Sequence, residues 1–150
     1  MKRSQRLQTI IDLQSRQEND ALQVLGRCQQ QFQAQQAQLK QLQAYRQEYL
    51  NKLLERQQMG MNISQLLEFR AFADKLNKAI DGQHQAVAQH EREVQRAQAK
   101  WEECHRRTKS LQKLGELAVA EEVKVENKRE QNEQDARAAR SSRKDGTGSA

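Results

Sequence analysis

The chain carries three histidines, two cysteines and 20 carboxylates with which to do chemistry, and their spacing decides whether they can. His84 and His90 lie six apart, whereas two ligands on one helix face need i, i+4, so this pair does not converge on a metal. His105 follows Cys104 directly and projects from another side of a helix. Cys28 and Cys104 stand alone without CxxC spacing and read as small, half-buried hydrophobes rather than as a disulfide or a metal site. No glycine loop that could cradle a phosphate, no nucleophile elbow and no HExxH signature is present. The residues predict no catalytic group, no metal and no cofactor: a non-enzymatic chain.

What remains is a chemistry of surfaces. Gln38, Leu42, Tyr45 and Tyr49 are spaced 4-3-4, and so are Phe72, Leu76, Ala79 and Gln83. Each row lines one face of a helix. If the chain reverses between them, 49 pairs with 72, 45 with 76, 42 with 79 and 38 with 83, giving one aromatic, partly exposed stripe. Such a patch suits a protein-binding anchor. Spacing alone equally fits flank residues covering a thin core.

The elements that must position these rows follow from the punctuation between them. Gln58-Met59-Gly60-Met61-Asn62 is the one convincing break between two long helical patterns. Asn62 with Gln65 three residues on has the form of a capping box, and Met61 before it can staple onto Leu66. Gly60 supplies the permissive backbone of a reversal. Before the break, a 3-4 count from Leu7 to Leu53 gives fourteen positions, ten of them apolar or aromatic. Gln14, Glu18 and Arg46 interrupt it, lowering stability while helping to fix register. The Gln-rich run from Gln29 to Gln43 keeps Phe32, Leu39 and Leu42 in phase, so it reads as a solvated helix face. After the break, the count from Leu66 to Ala118 gives sixteen positions, twelve of them apolar. A slip of one residue is expected near Leu111, Leu114 and Ala118, and beyond Val125 the pattern fades.

These patterns predict an all-α fold, a long two-helix antiparallel coiled-coil hairpin over residues 1–140. Helix one spans about 4–57, the turn 58–63 and helix two about 64–139, with a disordered tail at 141–150. With the turn centred at residues 60 and 61, residue i lies opposite 121 minus i. Leu7 then meets Leu114, and helix two overhangs the N-terminus. Cys28 lies opposite position 93, roughly 16 Å along the axis from Cys104, which is beyond the reach of a disulfide.

Composition agrees with thin, solvated helices. Apolar residues make up 35% of the chain and charged residues 31%, proline is absent, and mean hydropathy is −1.10. The basic N-terminus has no apolar run behind it, and no stretch approaches a membrane span, so a soluble intracellular protein is expected. Net charge is +6. Arg92 to Lys113 holds seven Lys or Arg against three Asp or Glu. Lys2, Arg3 and Arg6 join Arg106, Arg107, Lys109 and Lys113 in a basic open end of the hairpin, a field that attracts acidic proteins, nucleic acid or anionic lipid alike.

Leu42-Gln-Ala-Tyr45-Arg-Gln-Glu-Tyr49 before the turn and Phe72-Ala-Asp-Lys-Leu76-Asn-Lys-Ala79-Ile80 after it, with the length and the basic ends, resemble the flagellar export protein family FliJ. The resemblance covers most of residues 1–125 and is specific at the tip rows. It implies a two-helix coiled coil similar to the central stalk of rotary ATPases. The implied partners are the hexameric flagellar export ATPase, the cytoplasmic domain of the export-gate membrane protein, and export chaperones. It also implies a cytoplasmic location, peripheral to the inner membrane at the flagellar base. The family's gate-binding row maps onto Gln38, Leu42, Tyr45, Tyr49, Phe72, Leu76 and Ala79. Its last position is commonly histidine; here it is Gln83, with His84 adjacent. By analogy with rotary stalks, the basic open end faces the ATPase ring. The stalk of a virulence type III secretion system has the same shape and stays an alternative, as do a basic nucleic-acid-binding coil and a self-assembling rod. Against nucleic acid, the tip aromatics do not interleave with the basic cluster as stacking platforms would.

Overall fold

A computed structural model describes residues 2–147. Two helices account for nearly all of them, α1 (Arg3–Met59) and α2 (Ile63–Thr147). No proline interrupts either helix, and the Gln, Ala, Leu, Glu, Lys and Arg that dominate lose little side-chain freedom in a helix. Every one of the fourteen positions counted from Leu7 to Leu53, and of the sixteen from Leu66 to Ala118, is buried or half-buried. The polar interruptions at Gln14, Glu18 and Arg46 face inward with the rest. Thr108 is 4% exposed, and its hydroxyl donates to the Cys104 carbonyl at 2.9 Å, so the buried polar group is satisfied within its own helix.

The chain folds as two compact units, Glu18–Glu103 and Met1–Gln17 with Cys104–Ala150. The first unit contains the reversal. Gly60 sits at φ +96°, a conformation costly for any residue with a Cβ, and its N–H donates to the Gln57 carbonyl at 3.3 Å to close α1. Asn62 then opens α2, its Oδ1 accepting the Gln65 N–H at 2.8 Å and its carbonyl accepting the Leu66 N–H at 3.1 Å. The core of this unit is built on Ala21, Leu25, Leu76, Ile80 and Ala97. Interhelical contacts join Gln35 to Gln83, Tyr45 and Tyr49 to Phe72, Tyr49 to Phe69, Arg46 to Asn77 and Arg56 to Phe69, so paired residue numbers total 117 to 125.

In the second unit the pairing totals lie just above that range. Ile11 lies against Gly115 and Ser4 against Glu122, and both pairs total 126. Leu7 is therefore not opposite Leu114, which is 45% exposed. The expected slip also does not occur: Leu111, Gly115, Ala118 and Glu122 continue the inward 3-4 series without a break. The slip rested on reading Leu114 as inward because it is apolar. The inward position is Gly115, where an added Cβ would come within 3.0 Å of Ile11 Cδ1.

α2 does not stop near residue 139. Residues 141–147 of the expected tail continue the helix, and residues 148–150 of it lie outside the described residues. Residues 123–146 are exposed throughout, so propensity and local ion pairs such as Arg129 to Glu133, 3.6 Å apart, support this stretch. Among the described residues no helix is long and apolar enough to cross a membrane.

Candidate functional site

Tyr45, Tyr49, Phe69 and Phe72 form one aromatic cluster in the unit that contains the reversal. Tyr49 is half-buried on the inward face of α1, and its ring centroid lies 4.6 Å from Phe72 and 5.2 Å from Phe69. Tyr45, one turn earlier on the flank, meets Phe72 edge to face at 6.3 Å, the geometry that a ring quadrupole favours. Tyr45 is 48% exposed and Phe72 37%. The cluster thus has a half-buried part, Tyr49 and Phe69, that backs a more exposed part, Tyr45 and Phe72. The Tyr49 hydroxyl donates to the Phe69 carbonyl at 3.5 Å. Burial first, then the neighbouring Tyr45 and Glu68, pushes its pKa above the ordinary tyrosine value, so the phenol stays neutral.

The remaining row residues divide by position. Gln38 and Ala79 are exposed, Leu42 is half-buried, and Leu76 lies in the core at 7% exposure. Gln83 turns inward, its Nε2 donating to the Gln35 carbonyl at 2.9 Å and to Gln35 Oε1 at 2.8 Å. Gln83 therefore meets Gln35 rather than Gln38, one turn away from the expected pairing. Tyr45 meets Phe72 instead of Leu76, while Tyr49 does meet Phe72. The accessible part of the patch is Gln38, Tyr45, Phe72 and Ala79, with Leu42, Tyr49, Leu76 and Gln83 beneath or behind it.

Two contributors were hidden from the rows. Phe69 falls on the 3-4 seam and Arg56 on neither row; the Arg56 guanidinium sits 5.6 Å from the Phe69 ring centroid. Arg56 lies seven residues after Tyr49, two turns along the same face, which is the spacing that could have found it. Arg46 also leaves the inward face at its tip, Nη1 donating to Asn77 Oδ1 at 3.3 Å. An arginine can occupy a half-buried position when its stem packs and its head reaches a partner.

The histidines, cysteines and carboxylates are dispersed. Among the described residues no three His, Cys, Asp or Glu side chains gather as metal ligands. His90 Nδ1 lies 3.3 Å from Glu93 Oε2, its neighbour one turn on. Cys28 is half-buried, Cys104 is buried, and both are free thiols.

The second unit carries the basic set. Lys2, Arg3, Arg6, Arg106, Arg107, Lys109 and Lys113 are all exposed. Glu122 lies near Lys2 in a built position. Its Oε1 accepts the Ser4 N–H at 3.1 Å and its Oε2 accepts the Ser4 hydroxyl at 2.7 Å. The Ser4 amide is one of the first-turn donors that a helix cannot satisfy internally, and α2 supplies a carboxylate to it. Those hydrogen bonds, with the charge of Lys2 a smaller cause, hold the Glu122 carboxyl below its ordinary pKa against the desolvation that opposes it. Extending the 3-4 count four residues past Ala118 lands on Glu122, so the position was within reach of the pattern although its partner was not.

Comparison with known proteins adds a family to this geometry. The family model described as "Flagellar FliJ protein" matches residues 2–147. The chain is 30% identical over 134 residues to the flagellar FliJ protein of Escherichia coli strain K12, a match covering 89% of this chain and 91% of that protein. It is 28% identical over 134 residues to the flagellar FliJ protein of Salmonella typhi, with the same coverage of both chains.

Proposed function

The chain belongs to the flagellar FliJ family, which makes it a component of flagellar export, and from that premise we propose that it is a non-catalytic link between the export ATPase and the export gate. The aromatic cluster, with exposed Tyr45 and Phe72 backed by Tyr49 and Phe69, is the observation that carries the reading. A pair of partly exposed rings fixed on rigid helices loses little conformational freedom on binding, as protein-binding anchors require. Its partner is the cytoplasmic domain of the export-gate membrane protein. The exposed basic residues around the N-terminus of α1 and along 106–113 face the hexameric ATPase ring, where a positive field steers association with acidic surface. Export chaperones are further partners. The protein then works in the cytoplasm, held peripherally at the inner membrane at the flagellar base through these partners.

The test is a binding titration of the gate's cytoplasmic domain against Tyr45→Ala with Phe72→Ala. Both positions are partly exposed, so the helices should survive, and circular dichroism checks this. Loss of two anchor rings should weaken binding at least about 100-fold. Undiminished binding with intact helices would remove the patch from the mechanism.

A further inference from the structure

The last part of α2 carries a charge pattern that neither the seam nor the patch explains. Residues 123–146 are exposed without exception. Within them Glu126, Glu130, Glu133, Arg137, Arg140 and Lys144 follow one another at 4-3-4-3-4 spacing. In a continuous helix this spacing puts all six on one face. The first three are acidic and the last three basic. In a lone helix the arrangement is unfavourable: Glu126 and Glu130, Glu130 and Glu133, Arg137 and Arg140, and Arg140 and Lys144 are like-charged neighbours one turn apart. Only Glu133 and Arg137 attract within the row, and Glu133 also reaches Arg129 beside it.

Turned end for end, the same row is its own complement. We propose that this face binds a second copy of the chain in antiparallel register about a two-fold axis between Glu133 and Arg137. Glu126 of one copy then faces Lys144 of the other, Glu130 faces Arg140, and Glu133 faces Arg137, with each pair repeated by the symmetry. An isologous contact demands this self-complementarity. In this arrangement acidic meets basic along the whole length of the row. A foreign protein surface would need an anchor, and residues 126–147 contain no aromatic or large aliphatic side chain. A polyanion would meet three carboxylates on the same face as the three cations. Without an apolar seam the association is weak and depends on ionic strength.

Sedimentation equilibrium of the full chain at about 0.5 mM tests this, because only at such concentrations does a weak ionic contact populate a dimer. Self-association is expected in low salt and should vanish in about 0.5 M NaCl, where the screening length falls below the span of one turn. The triple variants E126K/E130K/E133K and R137E/R140E/K144E should each be monomeric. The sixfold exchange, which joins both triples, keeps the net charge and restores complementarity, so it should dimerise again. Should its helix fray by circular dichroism, mixing the two triple variants gives the same readout, because each supplies what the other lacks. A parent chain monomeric in both salts, a dimer that the triple variants leave unchanged, or failure of both the sixfold exchange and the mixture would overturn the proposal.

Discussion

Ser4 and Glu122 show how one side chain joins a helix start to a titratable group. The Glu122 carboxylate takes both the backbone N–H and the hydroxyl of Ser4, and its pKa is thereby lowered. A carboxyl with a folded-state pKa below its unfolded value contributes stability above that unfolded value, and the contribution is lost as pH falls through the folded value. Ser4→Ala removes the hydroxyl donor at 2.7 Å and leaves the N–H. The Glu122 pKa, followed by NMR, should then rise toward the ordinary value of 4.5. The urea midpoint of the variant should fall below the parent's at pH 7 and converge with it as pH falls through the parent's folded-state pKa, where the carboxyl becomes protonated in both. An unmoved pKa would show that the hydroxyl does not hold the charge.

Along the elements, α2 offers two glycines in contrasting surroundings. Gly82 is exposed in the helix interior, and an added Cβ there meets nothing within 4 Å. Gly82→Ala should therefore stabilise the protein by about 1 kcal/mol, the propensity difference in a helix interior. At Gly115 the added Cβ meets Ile11 Cδ1 at 3.0 Å. Ile11 is 7% exposed and has little room to move aside, so Gly115→Ala should gain less than Gly82→Ala in the same urea denaturation series. An equal gain would mean that the helices do not depend on their close approach at Gly115. The contrast also marks what was legible. The 3-4 count found each inward position because helix geometry and burial act through the same period. The count by itself carries no register; the turn centre at residues 60 and 61 set it, and that rule holds for Tyr49 with Phe72 but not for Gln35 with Gln83 or Ile11 with Gly115. The offset is set by particular pairs, Gln35 with Gln83 in one unit and Ile11 with Gly115 in the other. The aromatic cluster was legible to the same extent. Tyr45, Tyr49 and Phe72 were found by spacing, whereas the inward turn of Gln83 and the placement of the Arg56 guanidinium over Phe69 depend on rotamers that spacing does not encode.

For the molecule as a whole, stability must be uneven, because the apolar burial that resists opening is concentrated. Leu25, Leu76 and Ile80 are exposed by 5%, 7% and 2%, whereas nothing beyond Glu122 is even half-buried among the described residues. Helical hydrogen bonds without packing open with free energies near zero, and bonds beneath a core open only with the larger unit that contains them. Amide hydrogen exchange of the monomeric chain in high salt should therefore split. Amides around Leu76 and Ile80 should exchange at least about 100-fold more slowly than those of 126–144, although both segments belong to one continuous α2. The extension ends in Arg143 and Lys144, which oppose the negative end of the helix dipole, but that effect fades within the last turn and cannot protect the whole segment. If the extension is protected as strongly as the core in high salt, its helix is held by something other than local propensity. If protection there appears only in low salt and at high concentration, the added stability comes from a second chain, which is how an electrostatic pairing face differs from a buried seam.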